Sequence, residues 1–201
     1  MNSPPLTTHH SPLTEALCHR LTYAAILLLI ILAYSPFLGN YFVQDDFTWL
    51  EVAVWSSRDI TRIFTLHIAH FFMPLGHLVF LIEYRLFGLD PFGYSLVNLA
   101  LHALNCVLLF HLARRITQND SVGLIAAILF ACNSSHFHGV VWISALPRLI
   151  LTALMLAALL AFDSYLRTRH RTWYALSLAF CVGAMLSKEQ CVVLAPLLLL
   201  H

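Results

Sequence analysis

The chain has 201 residues, of which 60% are hydrophobic and only 10% charged, and its mean hydropathy is +0.78. An average soluble domain carries charge on about a quarter of its residues, so this composition excludes a soluble core with one anchor and describes a polytopic membrane protein. Eleven Lys and Arg nearly balance ten Asp and Glu, so bulk charge gives no reason to expect a nucleic-acid partner.

Taken in chain order, residues 1–20 read as a cytosolic N-terminal segment. Residues 21–38, LTYAAILLLIILAYSPFL, then carry no charge over 18 positions. At 1.5 Å per residue such a stretch is roughly 27 Å long, enough to cross a hydrocarbon core. The alternative is a signal peptide, but the preceding segment is long and weakly basic and no small-residue cleavage site follows, which favours an uncleaved anchor. Further spans read as 92–113, 121–142, 147–166 and 172–187, with a last one beginning near 190. Residues 21–201 thus form one all-α transmembrane module of about six helices. The chain stops inside the apolar run VVLAPLLLLH, so we expect it to be the N-terminal part of a longer protein.

Orientation follows from the Lys and Arg of short segments beside the spans. With the N-terminus cytosolic, Arg20, Arg114, Arg115 and the three arginines of RTRHR at 167–171 fall on the cytosolic side, six of eleven basic residues. Residues 39–91 then form an outer loop with six acids (Asp45, Asp46, Glu51, Asp59, Glu83, Asp90) against three arginines. The short cytosolic segments favour a bacterial inner membrane. Within the loop, Ile63, Phe64, Ile68, Phe71 and Phe72 recur at helical spacing and predict an amphipathic helix in the interface. Pro74 opens a second such helix with Leu75, Leu78, Val79, Ile82 and Leu86 on one face, ended by GLDP at 88–91.

The five cysteines are scattered without CxxC spacing and lie mostly in apolar runs, as small buried thiols do. Asp45 and Asp46 stand where charge is costly unless it faces water, a cavity or a cation. Two readings of the pair are open: a cap for a helix starting near Phe47, or a general base with a second carboxylate that tunes it or holds substrate or a divalent cation. Lys188 and Glu189, at the outer end of the fifth span, either pair with each other or offer a cation to a phosphate head group. Arg148 either serves the same phosphate or snorkels. His136 and His138 share one side only if the backbone is extended, and they line a cavity rather than hold a metal. Asn98 and His102, four apart, share a helix face and predict hydrogen bonds between helices. There is no Walker loop, GxGxxG or GxSxG, so nucleotide-driven transport and serine hydrolysis lack support. No internal repeat supports a transporter.

Together, VQDDF, PLGHLVFLIEYRLFGLDPFGYSLVNLALHALNCVLLFHLARR, LFACNSSHFHGVVWIS and LSKEQ resemble, in their order and spacing, the N-terminal membrane half of GT-C glycosyltransferases of the TMTC-like and protein O-mannosyltransferase-like group. The resemblance runs over residues 21–200. It implies that Asp45 and Asp46 belong to an active site for inverting transfer from a polyprenyl-phosphate sugar to a protein or glycan hydroxyl. A carboxylate, Asp45 by preference, would deprotonate the acceptor, and Lys188 would stabilise the departing lipid phosphate. Two departures stand out. Relatives often read RPL where this chain has MPL at Met73. They often read HPVHTEAVAWISGR where it has NSSHFHGVVWISAL, which places His138 where Glu is usual and Leu146 where Arg is usual. These departures leave a second expectation in play, a non-catalytic membrane protein or inactive fragment that keeps the fold.

Overall fold

The structure, a computed structural model, describes residues 12–68 and 71–200, without the side chains of 12–19 and 134–137. The regular structure of the described residues is helical, apart from an isolated bridge between Ile68 and Phe71. In chain order the helices are α1 (Pro12–Tyr34), α2 (Asp46–Arg58), α3 (Arg62–Thr65), α4 (Pro74–Phe87), α5 (Pro91–Thr117), α6 (Asp120–Cys132), α7 (Ser134–Val141), α8 (Leu146–Thr168), α9 (Arg171–Ser187) and α10 (Leu194–Leu200). Three stretches are long and apolar enough to cross a membrane: Arg20–Phe37, Pro91–Thr117 and Ile143–Thr168.

Local chemistry sets the boundaries. Asp90 caps α5 by accepting from the Phe92 amide at 3.1 Å, with Pro91 in the first helical position, where its missing N–H costs nothing. Asn119 caps α6 by accepting from the Ser121 and Val122 amides at 2.9 and 3.4 Å. Gly88, at φ +59°, ends α4 in a conformation other residues resist.

Two predicted elements differ. The expected span 121–142 is two helices, because Asn133 leaves helical geometry (ψ 121°) between α6 and α7. Of the amphipathic helix expected over 60–72, the described residues hold only the single turn α3, which ends at an extended Leu66, and residues 69–70 lie outside the described residues.

Lipid offers no hydrophobic force to press helices together, so close packing and polar bonds between helices must do it. Gly123, Ala127 and Ala131 form a small-residue stripe at four-residue spacing on α6, and all three are buried. A methyl group on Gly123 would come within 2.8 Å of the Phe110 carbonyl oxygen on α5, so only glycine permits this approach. Asn98 and Asn105, seven apart on α5, supply the polar bonds. The Asn98 amide donates to the carbonyls of Val140, Trp142 and Ile143 at 3.1–3.4 Å, and Asn105 donates to that of Leu149 at 3.1 Å. The three carbonyls that Asn98 holds sit where the chain breaks between α7 and α8, so Asn98 supplies what a continuous helix would have. The expected role of Asn98 is therefore met. His102 is buried against the rings of Phe130 and Tyr34, with centroids at 5.5 and 5.3 Å.

Helix α4 turns an unexpected face inward. Gly76, His77, Phe80, Leu81 and Glu83 are buried, whereas Ile82 and Leu86, on the face predicted as its apolar stripe, are 47% and 70% exposed. Of the described cysteines, all free thiols, Cys106 is buried and Cys132 is exposed.

Candidate functional site

After α1 the chain turns at Ser35–Phe37, continues without regular structure over 40–43, and turns again at Gln44, whose φ of +47° lies in the left-handed region. For a residue with a side chain this conformation costs on the order of 1–3 kcal/mol, so the surrounding contacts must hold it. They do so through Asp46, the first residue of α2, which is 1% exposed. One carboxylate oxygen, Oδ2, accepts from the Val43 amide at 2.9 Å and closes the turn. The other, Oδ1, accepts from the Ser144 amide at 2.8 Å and from the Ser144 hydroxyl. Asp46 therefore pins the start of α2 to the 3₁₀ turn Ile143–Ala145, whose first carbonyl, that of Ile143, Asn98 holds.

Asp45 behaves differently. It occupies the N-cap position of α2, yet its side chain caps nothing, and it is exposed with no hydrogen-bond partner among the described residues. The helix-cap reading thus fails for Asp45 as a side-chain role. The carboxylate bound to the turn belongs to its neighbour.

Beside the pinned turn lies a cavity of about 600 Å³ whose wall includes Tyr41, Gln44, Asp46, His138, Trp142 and Arg148. The Arg148 guanidinium lies 6.0 Å from the centre of the Trp142 ring, near enough for a cation–π contact. The Trp142 ring lines this wall, and its indole N–H is buried with no acceptor among the described residues. Of the sequence-predicted residues, the structure brings Asp46, His138 and Arg148 onto one cavity. The side chain of His136 lies outside the described residues. Among the described residues no three His, Cys, Asp or Glu side chains gather as a metal ion would require.

Lys188 and Glu189 sit just past the end of α9. Lys188 is half-buried, with its ammonium 5.9 Å from the centre of the Phe71 ring. Burial pulls its pKa below the usual lysine value and the nearby Arg148 charge adds to the effect, while Glu189 opposes it. Lys188 and Arg148 are thus electrostatic neighbours, although Lys188 is not on the cavity wall. Glu189 is exposed, and Lys188 forms no ion pair within 4 Å among the described residues, so the mutual-pairing reading fails.

Sequence reasoning gave Ser144 no role, although it lies within the motif quoted above. Its only sequence signal is a hydroxyl next to an apolar run. Two of the departing residues prove to be core positions: Met73 is 3% and Leu146 0% exposed, both within the apolar cluster around Trp49 and Phe80, whereas His138 is exposed on the cavity wall.

The chain is thus an all-α membrane protein with long apolar helices and a cavity that Asp46 and Arg148 share, and its sequence places it among the GT-C membrane glycosyltransferases. The chain belongs to the dolichyl-phosphate-mannose-protein mannosyltransferase family, whose model matches residues 73–201. Among curated proteins it is similar to Protein O-mannosyl-transferase Tmtc3 of Drosophila melanogaster, 28% identical over 159 residues that cover 65% of this chain and 17% of that protein. It is also similar to TMTC3 of Homo sapiens, 31% identical over 125 residues, covering 59% of this chain and 13% of that protein. A third relative is TMTC2 of Mus musculus, 30% identical over 124 residues, covering 59% and 15%. The chain thus spans less than a fifth of the length of these relatives. No solved structure matches it.

Proposed function

We propose that the chain forms the active-site end of a membrane transferase that moves mannose from a polyprenyl-phosphate carrier to a protein or glycan hydroxyl on the non-cytosolic face. The observation that carries this reading is the contrast within the acidic pair: Asp46 is fixed by three donors, while Asp45 beside it is exposed and unengaged among the described residues. In the proposed step Asp45 takes the proton of the acceptor hydroxyl as its oxygen attacks the anomeric carbon. The anomeric C–O bond to phosphate breaks, and the polyprenyl phosphate leaves with the bonding electrons. One displacement inverts the anomeric centre. Asp46 positions Asp45 through the rigid turn, and Arg148 with Lys188 offsets the charge growing on the leaving phosphate. His138 and the Trp142 indole line the space left for the sugar. The arginines Arg114, Arg115 and Arg167 gather at the far ends of α5 and α8, which supports a non-cytosolic orientation for the Asp46 end.

The test is transfer of labelled mannose from polyprenyl-phosphate mannose by membranes holding the full-length protein. Asp45→Asn should lower the rate by about 10²–10⁴, the range a general base supplies, with unchanged amounts in the membrane. Full activity in that variant overturns Asp45 as the base. A second reading is favoured by Met73 and Leu146, apolar core residues where the resemblance places arginines: a binding module that transfers nothing. It gains support if neither the wild type nor an Asp45 variant produces a glycan.

A further inference from the structure

We propose that the opposite, arginine-bearing end of the bundle holds a binding site for a phospholipid with an anionic headgroup, distinct from the cavity at Asp46. A polar cavity of about 430 Å³ opens there, lined by His111, Arg114, Arg115, Gln118, Asp120 and Arg167. Against three guanidiniums stand one carboxylate on its wall, Asp120, and one beneath it, Asp163, which leaves a single net positive charge to favour an anion. Two of the arginines are fixed from beneath. Arg115 Nη1 donates to the Ser164 hydroxyl at 2.8 Å and reaches Asp163 Oδ2 at 3.5 Å, while Arg167 Nε donates to both Asp163 oxygens at 2.9 Å. Arg114 gives its Nε to Asp120 and keeps both terminal nitrogens without a protein partner among the described residues. A guanidinium held at one nitrogen with its fork open suits a phosphate oxygen pair.

An apolar groove specifies a lipid rather than a free phosphate. It measures about 240 Å³ between α1 and α5, and Tyr23, Ile26, Leu27, Ala103, Leu104 and Val107 line it. Along α5, Leu104, Val107, His111 and Arg114 follow one another at spacings of three and four residues, so they form one stripe that passes from apolar to basic. The groove and the polar cavity meet at a hydrogen bond, where Tyr23 Oη lies 3.0 Å from His111 Nε2. A molecule filling both would lay a hydrocarbon chain along Leu104 and Val107 and rest its phosphate among the arginines, as basic pockets at the ends of spans receive lipid headgroups. Arg114 lies roughly 24 Å along α5 from Asn98, which holds the Asp46 turn, so this lipid is not the sugar donor.

Native mass spectrometry of the purified full-length protein, exposed to micelles with equal phosphatidylglycerol and phosphatidylcholine, tests the site. One retained phosphatidylglycerol, in preference to phosphatidylcholine, is expected. Arg114→Gln should cut that retention roughly fivefold, the effect of one arginine near an anionic lipid surface. Leu104→Trp, at a 46% exposed position where the larger ring fills the groove without touching the core, should cut it as well. Glycerol phosphate at millimolar concentration should displace nothing. Equal retention of the two lipids, or unchanged retention in Arg114→Gln, overturns the site. Displacement by glycerol phosphate with Leu104→Trp unaffected overturns the lipid and leaves a pocket for soluble anions.

Discussion

Replacing Asp46 with asparagine separates the two members of the acidic pair by stability alone, before any sugar is transferred. Asp46 accepts from the Val43 amide at 2.9 Å and from the amide and hydroxyl of Ser144, and it is 1% exposed. Hydrogen bonds to a charged group contribute about 1.5–3 kcal/mol each, and a buried donor left unmade costs a similar amount. Asparagine keeps one oxygen for Ser144 but turns an NH2 toward the Val43 N–H, donor against donor. The loss is one charge-assisted bond, with the Ser144 pair weakened from charged to neutral, about 3 kcal/mol in all. Ser144→Ala removes only the hydroxyl donor and leaves the amide bond, which should cost about 1.5 kcal/mol. Asp45→Asn touches no partner among the described residues and should leave the unfolding midpoint unchanged. Thermal unfolding of the full-length protein in detergent micelles gives the order directly: Asp46→Asn lowest, Ser144→Ala between, Asp45→Asn with the wild type. A drop in Asp45→Asn as large as in Asp46→Asn, or no drop in Asp46→Asn, refutes the division into a free carboxylate and a pinned one.

Three other variants read different parts of the fold. Asn98→Leu removes the donor that serves three carbonyls at the break before α8 and should destabilise by about 1–3 kcal/mol, checked by the same unfolding assay. Glu83 is 3% exposed on α4, and burial pushes its pKa from the ordinary 4.5 up to about 8. The unfolded chain releases this proton near pH 4.5 while the fold keeps it, so the Glu83 contribution is complete below that pH and is lost as pH rises to about 8. Glu83→Gln should therefore narrow the gap between unfolding temperatures measured at pH 5 and pH 8, and an unchanged gap would count against a neutral buried Glu83. Because burial lowers the Lys188 pKa, that cation loses its proton at lower pH than a free lysine does. If it holds the donor phosphate, Lys188→Arg should keep the donor KM low into alkaline pH where that of the wild type rises, which steady-state kinetics across pH would reveal.

The long elements were legible because each carries its signal within itself. Helix α5 shows an uncharged apolar run, a capping Asp90 and a terminal pair of arginines, and the chain folds it from Pro91 to Thr117 around the predicted 92–113. Asn98 was legible too, since an amide in an apolar helix must find a partner in a neighbouring helix. What was not legible depended on distant contacts. Asn133 opens the polar run NSSH inside the expected 121–142 span, but what holds the chain at the break is remote, since the partners of Asn98 lie 42–45 residues away. Ser144 reaches Asp46 across 98 residues, and nothing near either one announces the bond. The run that starts at Ile63 has helical spacing but too little length, and among the described residues it holds only the single turn α3.

The face of α4 shows why apolar periodicity needs its solvent specified. In water the apolar stripe of a helix turns to the core, and Leu75, Leu78, Val79, Ile82 and Leu86 form such a stripe. Beside lipid the exterior is as apolar as the interior, so that stripe no longer determines which way the helix faces. What distinguishes the two sides is then small size and polarity: Gly76 permits close approach, and His77 and Glu83 are disfavoured by lipid. The helix turns them inward and leaves Ile82 and Leu86 outside. The same rule runs through the rest of the chain. Asp46, Asn98, Asn105 and Asp163 are buried, and their hydrogen bonds tie segments that are apart in sequence. In this protein the buried polar residues, more than the apolar ones, specify which helices meet. The two cavities lie at opposite ends of that polar framework, one where Asp46 and Asn98 hold the turn before α8 and the other where Asp163 holds the arginines beyond it.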